Sequence, residues 1–149
     1  MIKLSRLGHV ALRVADVERS KKFYGEVLGF EVIEEDPEHG GAFMALAGLS
    51  HTIDLFPAPE GAPAATPDAT GVRHVAFLVD SEADFKEAWR TLREQHVSID
   101  RAMDHVSQKS IYFHDPDGTV LEIYYELPHA RELFRQGRGD RDEPLVFEP

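Results

Sequence analysis

Apolar and polar residues alternate along Gly8-His9-Val10-Ala11-Leu12-Arg13-Val14, and the pattern returns sixty-five residues later in Arg73-His74-Val75-Ala76-Phe77-Leu78-Val79. A period of two is that of a β-strand with one buried face. Each run is followed by a residue suited to start a helix, Asp16 in the first copy and Ser81 in the second. At the same offset Phe23, Tyr24 and Val27 fall on Ala88, Trp89 and Leu92, one face of an amphipathic helix in each copy. Gly29 stands where such a helix closes. Strand-like runs follow at 30–34, 41–46 and 51–56, and again at 97–101, 109–113 and 119–125. The last two flank the turn signal Asp115-Pro116-Asp117-Gly118.

The chain therefore reads as α+β, built from two βαβββ modules over about residues 5–56 and 72–126. A Pro-, Ala- and Gly-rich linker at 57–71 joins them. A module of about sixty residues buries little core alone, so the two are expected to pack as one domain over 1–126. Residues 127–149 read as a charged, peripheral tail with a short helix near 130–135.

Composition narrows the chemistry. Lys+Arg number 16 against 27 Asp+Glu, a net charge of −11 over 149 residues. That field repels nucleic acid and anionic membrane surfaces. No apolar run approaches about eighteen residues, and the N-terminus lacks a signal-peptide core, so a cytoplasmic protein is expected. Cysteine is absent, which removes disulfides, thiolate metal sites and cysteine nucleophiles. Site chemistry is left to eight histidines, carboxylates, Tyr and Ser.

Alternation groups His9 with Ala11 and Arg13, opposite Val10, Leu12 and Val14. It groups His74 with Ala76 and Leu78, opposite Val75, Phe77 and Val79, and Glu122 with Tyr124, opposite Leu121, Ile123 and Tyr125. Taken singly, each reads as a polar residue on a solvated sheet face. Two imidazoles and a carboxylate at repeat-related positions read instead as a divalent-metal site, suited to Fe(II), Mn(II), Zn(II) or Ni(II), with positions left for a substrate.

In "LGHVALRVADVERSKKFYGEVLGFEV", "VRHVAFLV" and "IYFHDPDGTVLEIY" the chain resembles the vicinal oxygen chelate superfamily over about residues 5–126. That superfamily includes glyoxalase I, fosfomycin-resistance proteins, methylmalonyl-CoA epimerase and extradiol dioxygenases. The resemblance implies paired βαβββ modules forming a half-open barrel around a metal, with His9, His74 and Glu122 as its ligands, and a homodimer. Within the superfamily the chain is most similar to a single-domain type I extradiol (catechol 2,3-) dioxygenase. Tyr112, ten residues before Glu122, matches a tyrosine that hydrogen-bonds the substrate oxygen. His51, in "SHTIDLF", matches the acid–base histidine, and His105, seven residues before Tyr112, a second active-site histidine. This implies Fe(II) and ring cleavage of a catecholic small molecule with O2.

Alternatives stay open. His51 has the parity of Ile53 and Leu55, opposite Asp54. Asp54 aligns with Glu122 through the repeat, and facing inward it would be a fourth ligand or an alternative base. Oxygen-independent glyoxalase- or epimerase-type lyase or isomerase chemistry would follow. A third reading is a non-enzymatic protein that binds an antibiotic or other aromatic ligand, as bleomycin-binding relatives do. The fosfomycin-resistance pattern is not met, because Ala102 and Val106 replace its Lys and Ser. His39, His96, His114 and His129 read as surface residues.

Overall fold

The computed structural model describes residues 1–46, 48–66, 68, 70–137 and 141–147. Pro67 and Ala69 of the expected linker, and 138–140, 148 and 149 of the tail, lie outside the described residues. The first alternating run forms β1 (Val10–Val14). Asp16 then caps α1 (Val17–Glu26), its carboxylate accepting the Arg19 N–H at 3.0 Å. Gly29 adopts φ +75, a left-handed conformation cheap only for glycine, and its N–H reaches the Gly25 carbonyl at 3.1 Å. The chain then turns into β2 (Glu31–Asp36), β3 (Gly41–Ala45) and β4 (Ile53–Pro57). These complete a four-stranded sheet of order β1-β4-β3-β2, with β1 and β4 parallel. They belong to one compact unit, Met1–Ala64, whose core holds Val14, Tyr24, Met44, Ile53 and Leu55.

The second unit, Ala65–Pro149, repeats the plan. β5 (Val75–Leu78) leads to α2 (Glu82–Glu94), capped by the Ser81 hydroxyl, which accepts the Asp84 N–H at 3.1 Å. β6 (Ile99–Asp104), β7 (Gln108–His114) and β8 (Val120–Glu126) follow in the order β5-β8-β7-β6. Phe85, Leu92, Ile111, Phe113 and Leu121 form its core. The fold is thus α+β, two βαβββ modules. Their registers agree: Ala11 pairs with Asp54, and Ala76 with Glu122. Ala11 and Ala76 are themselves related by the repeat, so Asp54 and Glu122 occupy equivalent strand positions.

The tail differs from the peripheral segment expected. After α3 (Ala130–Gln136), a two-residue strand β9 (Glu143–Pro144) pairs with the free edge of β6. The Leu145 N–H bonds the Ala102 carbonyl at 2.9 Å, and the Phe147 ring stacks on Trp89 with centroids 4.1 Å apart. Overall charge hid this, because an edge strand needs only backbone groups and one aromatic anchor. No helix among the described residues is long and apolar enough to cross a membrane.

Gly41 shows how closely β3 and β4 approach. A Cβ there would lie 2.6 Å from the Leu55 carbonyl oxygen and 2.9 Å from the Phe56 ring. Gly41→Ala is expected to lower stability by about 1–3 kcal/mol, the usual cost of overpacking. Urea unfolding would show it as a lower midpoint at an unchanged slope.

Candidate functional site

In the first unit, His9 is the residue just before β1. The loop ahead of β4 is tied on two sides, by the Val10 N–H to the Thr52 carbonyl at 3.0 Å and by the Thr52 N–H to the Met44 carbonyl at 2.7 Å. This anchoring lays the His51 ring on that of His9, with centroids 4.4 Å apart. Phe43 meets His51 edge-on at 6.0 Å. Asp54, only 3% exposed, places Oδ1 at 2.7 Å from His51 Nδ1 and Oδ2 at 3.5 Å from His9 Nε2. His9, His51 and Asp54 each offer a ligand atom, and these atoms lie within 4.8 Å of one another.

His51 and Asp54 both lie against His9 and contact each other, rather than pointing to opposite sides. Parity put them on opposite sides by treating 51–56 as one strand. The strand begins at Ile53, and His51 lies in the loop before it, where alternation does not apply.

In the second unit His74 precedes β5 as His9 precedes β1. Its Nε2 lies 2.9 Å from Oε2 of Glu122, which is 3% exposed. The Gln108 side-chain amide donates to Glu122 Oε1 at 3.1 Å. Tyr112 stands opposite Glu122 in the β7–β8 ladder, its ring edge-on to both His74 and His105. The Arg101 guanidinium lies 4.2 Å from the centre of the Tyr112 ring. Burial first, then the charge of Glu122, push the Tyr112 phenol above its ordinary pKa. It is accordingly an O–H group throughout the neutral range.

His105 links two partners. Its Nε2 is 2.9 Å from the Tyr112 hydroxyl and its Nδ1 is 2.8 Å from Oδ2 of Asp142. These residues, with His74, Glu122 and Arg73, line a cavity of about 430 Å³. The turn that carries His105 is constrained. Asp104 Oδ1 accepts the Val106 N–H at 2.8 Å, and Val106 sits at φ +69. A β-branched residue there costs on the order of 1–3 kcal/mol.

Of the three ligands expected from sequence, His74 and Glu122 are paired in the second unit, and His9 stands with His51 and Asp54 in the first. The donor chemistry fits a divalent ion. Both buried carboxylates face imidazole rings, an amide or a tyrosine, and no Lys or Arg is bonded to either among the described residues. Buried carboxylates without a fixed cation are costly, and imidazole with carboxylate is a donor set for Fe(II), Mn(II) or Zn(II).

Gln108, Arg101 and Asp142 were not singled out from sequence. Gln108 was within reach of it, because the β7–β8 hairpin brings that strand alongside Glu122. Asp142 arrives on β9, and no local pattern pointed to it.

A family model described as the Glyoxalase/Bleomycin resistance protein/Dioxygenase superfamily matches residues 6–123. The chain is 35% identical over 132 residues to the uncharacterized protein YaeR of Escherichia coli (strain K12), covering 83% of this chain and 98% of that protein. It is 27% identical over 154 residues to biphenyl-2,3-diol 1,2-dioxygenase 2 of Rhodococcus globerulus, covering 100% of this chain and 80% of that one. Among solved structures, a glyoxalase/dioxygenase from Nostoc punctiforme is similar at 30% identity and a TM-score of 0.66, over 83% of this chain and 92% of that one.

Proposed function

Because the chain belongs to the glyoxalase/bleomycin resistance protein/dioxygenase superfamily, we propose that it is a divalent-metal enzyme that opens the ring of an aromatic vicinal diol with O2. In this reading His9, His74 and Glu122 hold the ion, with Fe(II) the metal that suits the reaction. The observation that carries it is the His105–Tyr112 hydrogen bond at 2.9 Å, in a cavity shared with His74 and Glu122. Those two residues are the ones the extradiol resemblance singles out, and a binding protein or an isomerase has no evident use for the pair. The similarity to a biphenyl-diol dioxygenase supports the same substrate class.

The ion, when bound, supplies Lewis acidity that lowers the pKa of the diol hydroxyls. The chain's own residues then manage protons. Asp54 holds His51 Nδ1, which leaves Nε2 to accept a proton from the diol. The Tyr112 phenol stays protonated with its one O–H directed at His105 Nε2, which leaves its oxygen lone pairs to accept from a diol hydroxyl. A proton received at Tyr112 Oη is matched by passage of the phenol's own proton to His105 Nε2.

Protein loaded anaerobically with Fe(II) and then given oxygen is expected to convert catechols in a panel to yellow ring-cleavage products with stoichiometric oxygen uptake. Absence of uptake on every catechol, with a substrate α-proton exchanging with solvent instead, would overturn this reading. It would favour the oxygen-independent isomerase or lyase, the reading supported by Asp54 lying beside His9 as an added carboxylate. Failure to take up Fe(II) or Mn(II) would leave a ligand-binding protein.

A further inference from the structure

The cavity that holds Tyr112, His74 and Glu122 is also lined by two arginines, Arg73 and Arg101. We propose that they form an anion subsite, and that the aromatic diol this chain takes carries a carboxylate on its ring. The proposal rests on the reading of Tyr112 as a residue that meets the diol, and it names the substituent the same cavity selects. Both arginines and the groups around them belong to the second unit.

Arg101 is placed by its strand and by its side-chain contacts. It stands opposite Tyr112 in the β6–β7 ladder, and its guanidinium lies over the Tyr112 ring, 4.2 Å from the centre. A cation held there is within one ring's length of the Tyr112 hydroxyl. Nη1 donates to Asp100 Oδ2 at 2.6 Å. A guanidinium carries a rigid fork of donors, so this contact leaves the rest of the fork for a ligand. Arg73 directly precedes His74, whose Nε2 lies 2.9 Å from Glu122. The Arg73 side chain has no hydrogen bond or ion pair with any described residue.

The acids of the cavity limit the charge it can take. Glu122 is 3% exposed and turned to His74 and Gln108, and Asp142 lies beside His105. A carboxylate brings one negative charge to that setting, where a phosphate brings nearly two. It is also planar, which suits the guanidinium fork. Met103 and Phe134 add apolar wall for the ring. The net charge of −11 does not oppose such a ligand. Charges beyond a Debye length, about 8 Å at physiological salt, are largely screened, so the groups lining the cavity decide.

Two probes that differ in one group test the subsite: 4-hydroxybenzoate, and 4-hydroxybenzyl alcohol as its neutral counterpart. Neither is a vicinal diol, so neither is a substrate for the proposed ring cleavage. Each is titrated by NMR into the full-length chain, metal-free and with Mn(II) added. Wild type is expected to bind the carboxylate about 10-fold more tightly or better, the worth of a charge-assisted hydrogen bond. Arg73→Gln and Arg101→Gln should each reduce that preference, and the double variant should abolish it with far less effect on the alcohol. Arg101→Lys should recover part of it, because a point charge then replaces the fork. Both side chains are exposed, so these substitutions empty no core.

Equal affinity for the two probes in wild type, with and without Mn(II), would overturn the subsite, as would failure to bind either. A preference that survives in the double variant would overturn it too. Equal loss of both probes in that variant would make the arginines supports of Tyr112 instead. None of these outcomes depends on oxygen or turnover, so failure of ring cleavage in wild type bears on the proposed reaction alone. Where ring cleavage is present, 3,4-dihydroxybenzoate should show a KM about 10-fold below that of catechol, and the gap should close in the double variant.

Discussion

Metal-free protein carrying Glu122→Gln is expected to melt above metal-free wild type, while its affinity for Fe(II) or Mn(II) falls by about 100-fold, the upper range for loss of a metal-site partner. The two effects share one cause. The Glu122 side chain is 3% exposed, and its bonded neighbours are a histidine ring and the Gln108 amide. Across the ladder from it stands Tyr112, a neutral phenol. A carboxylate buried among such partners keeps much of its desolvation cost, which a divalent cation would offset. An amide of the same shape carries no charge to desolvate but offers one acceptor oxygen where the carboxylate offers two, to His74 and Gln108, so the apo fold should gain about 1 kcal/mol. The same amide is a poor donor to a hard cation. Thermal melts with and without Mn(II) separate the terms, because a ligand that binds only the folded state raises the midpoint by mass action. Wild type should rise strongly with Mn(II), and the variant hardly at all. A variant that melts well below wild type without metal, yet keeps its Mn(II) response, would make Glu122 a structural residue.

Much of this arrangement was legible in the sequence, for physical reasons that differ by residue. The repeated strands declared themselves because a half-buried strand imposes period two, and Asp16 and Ser81 because an N-cap is a local device. The equivalence of Asp54 and Glu122 followed from the repeat, and the ladders agree, each residue lying opposite a repeat-related alanine. The relation of His51 to Asp54 was not legible. It depends on β4 starting at Ile53 and on two backbone hydrogen bonds that tether Thr52. Strand boundaries and tethers of that kind are set by tertiary pairing, not by the periodicity of six residues. Asp142 was further out of reach. Its partner lies thirty-seven positions earlier in the chain, and only the pairing of β9 with the edge of β6 brings them together.

On the proposed reading the His51–Asp54 pair moves the diol proton, and it yields the second large effect. His51→Ala is expected to cut turnover by about 10²–10⁴-fold, the range for a positioned acid–base group, while leaving metal content unchanged. Asp54→Asn is expected to retain metal and lose less turnover, because its side-chain oxygen still accepts from His51 Nδ1. The reasoning starts from the two Asp54 oxygens. Oδ1, at 2.7 Å from His51 Nδ1, is within hydrogen-bond distance, whereas Oδ2, at 3.5 Å from His9 Nε2, is not well placed for one. The strong contact is thus the one that orients His51, the geometry the proposed reading requires of a carboxylate that partners a base. Metal analysis of the two purified variants, beside their kinetics, checks this directly. If Asp54→Asn loses metal as Glu122→Gln does, and His51→Ala turns over normally, Asp54 is a fourth ligand. The dioxygenase reading would then yield to a carboxylate-rich site that polarises a carbonyl. The same measurements would place His51 as a ring packed against His9, with no proton to move.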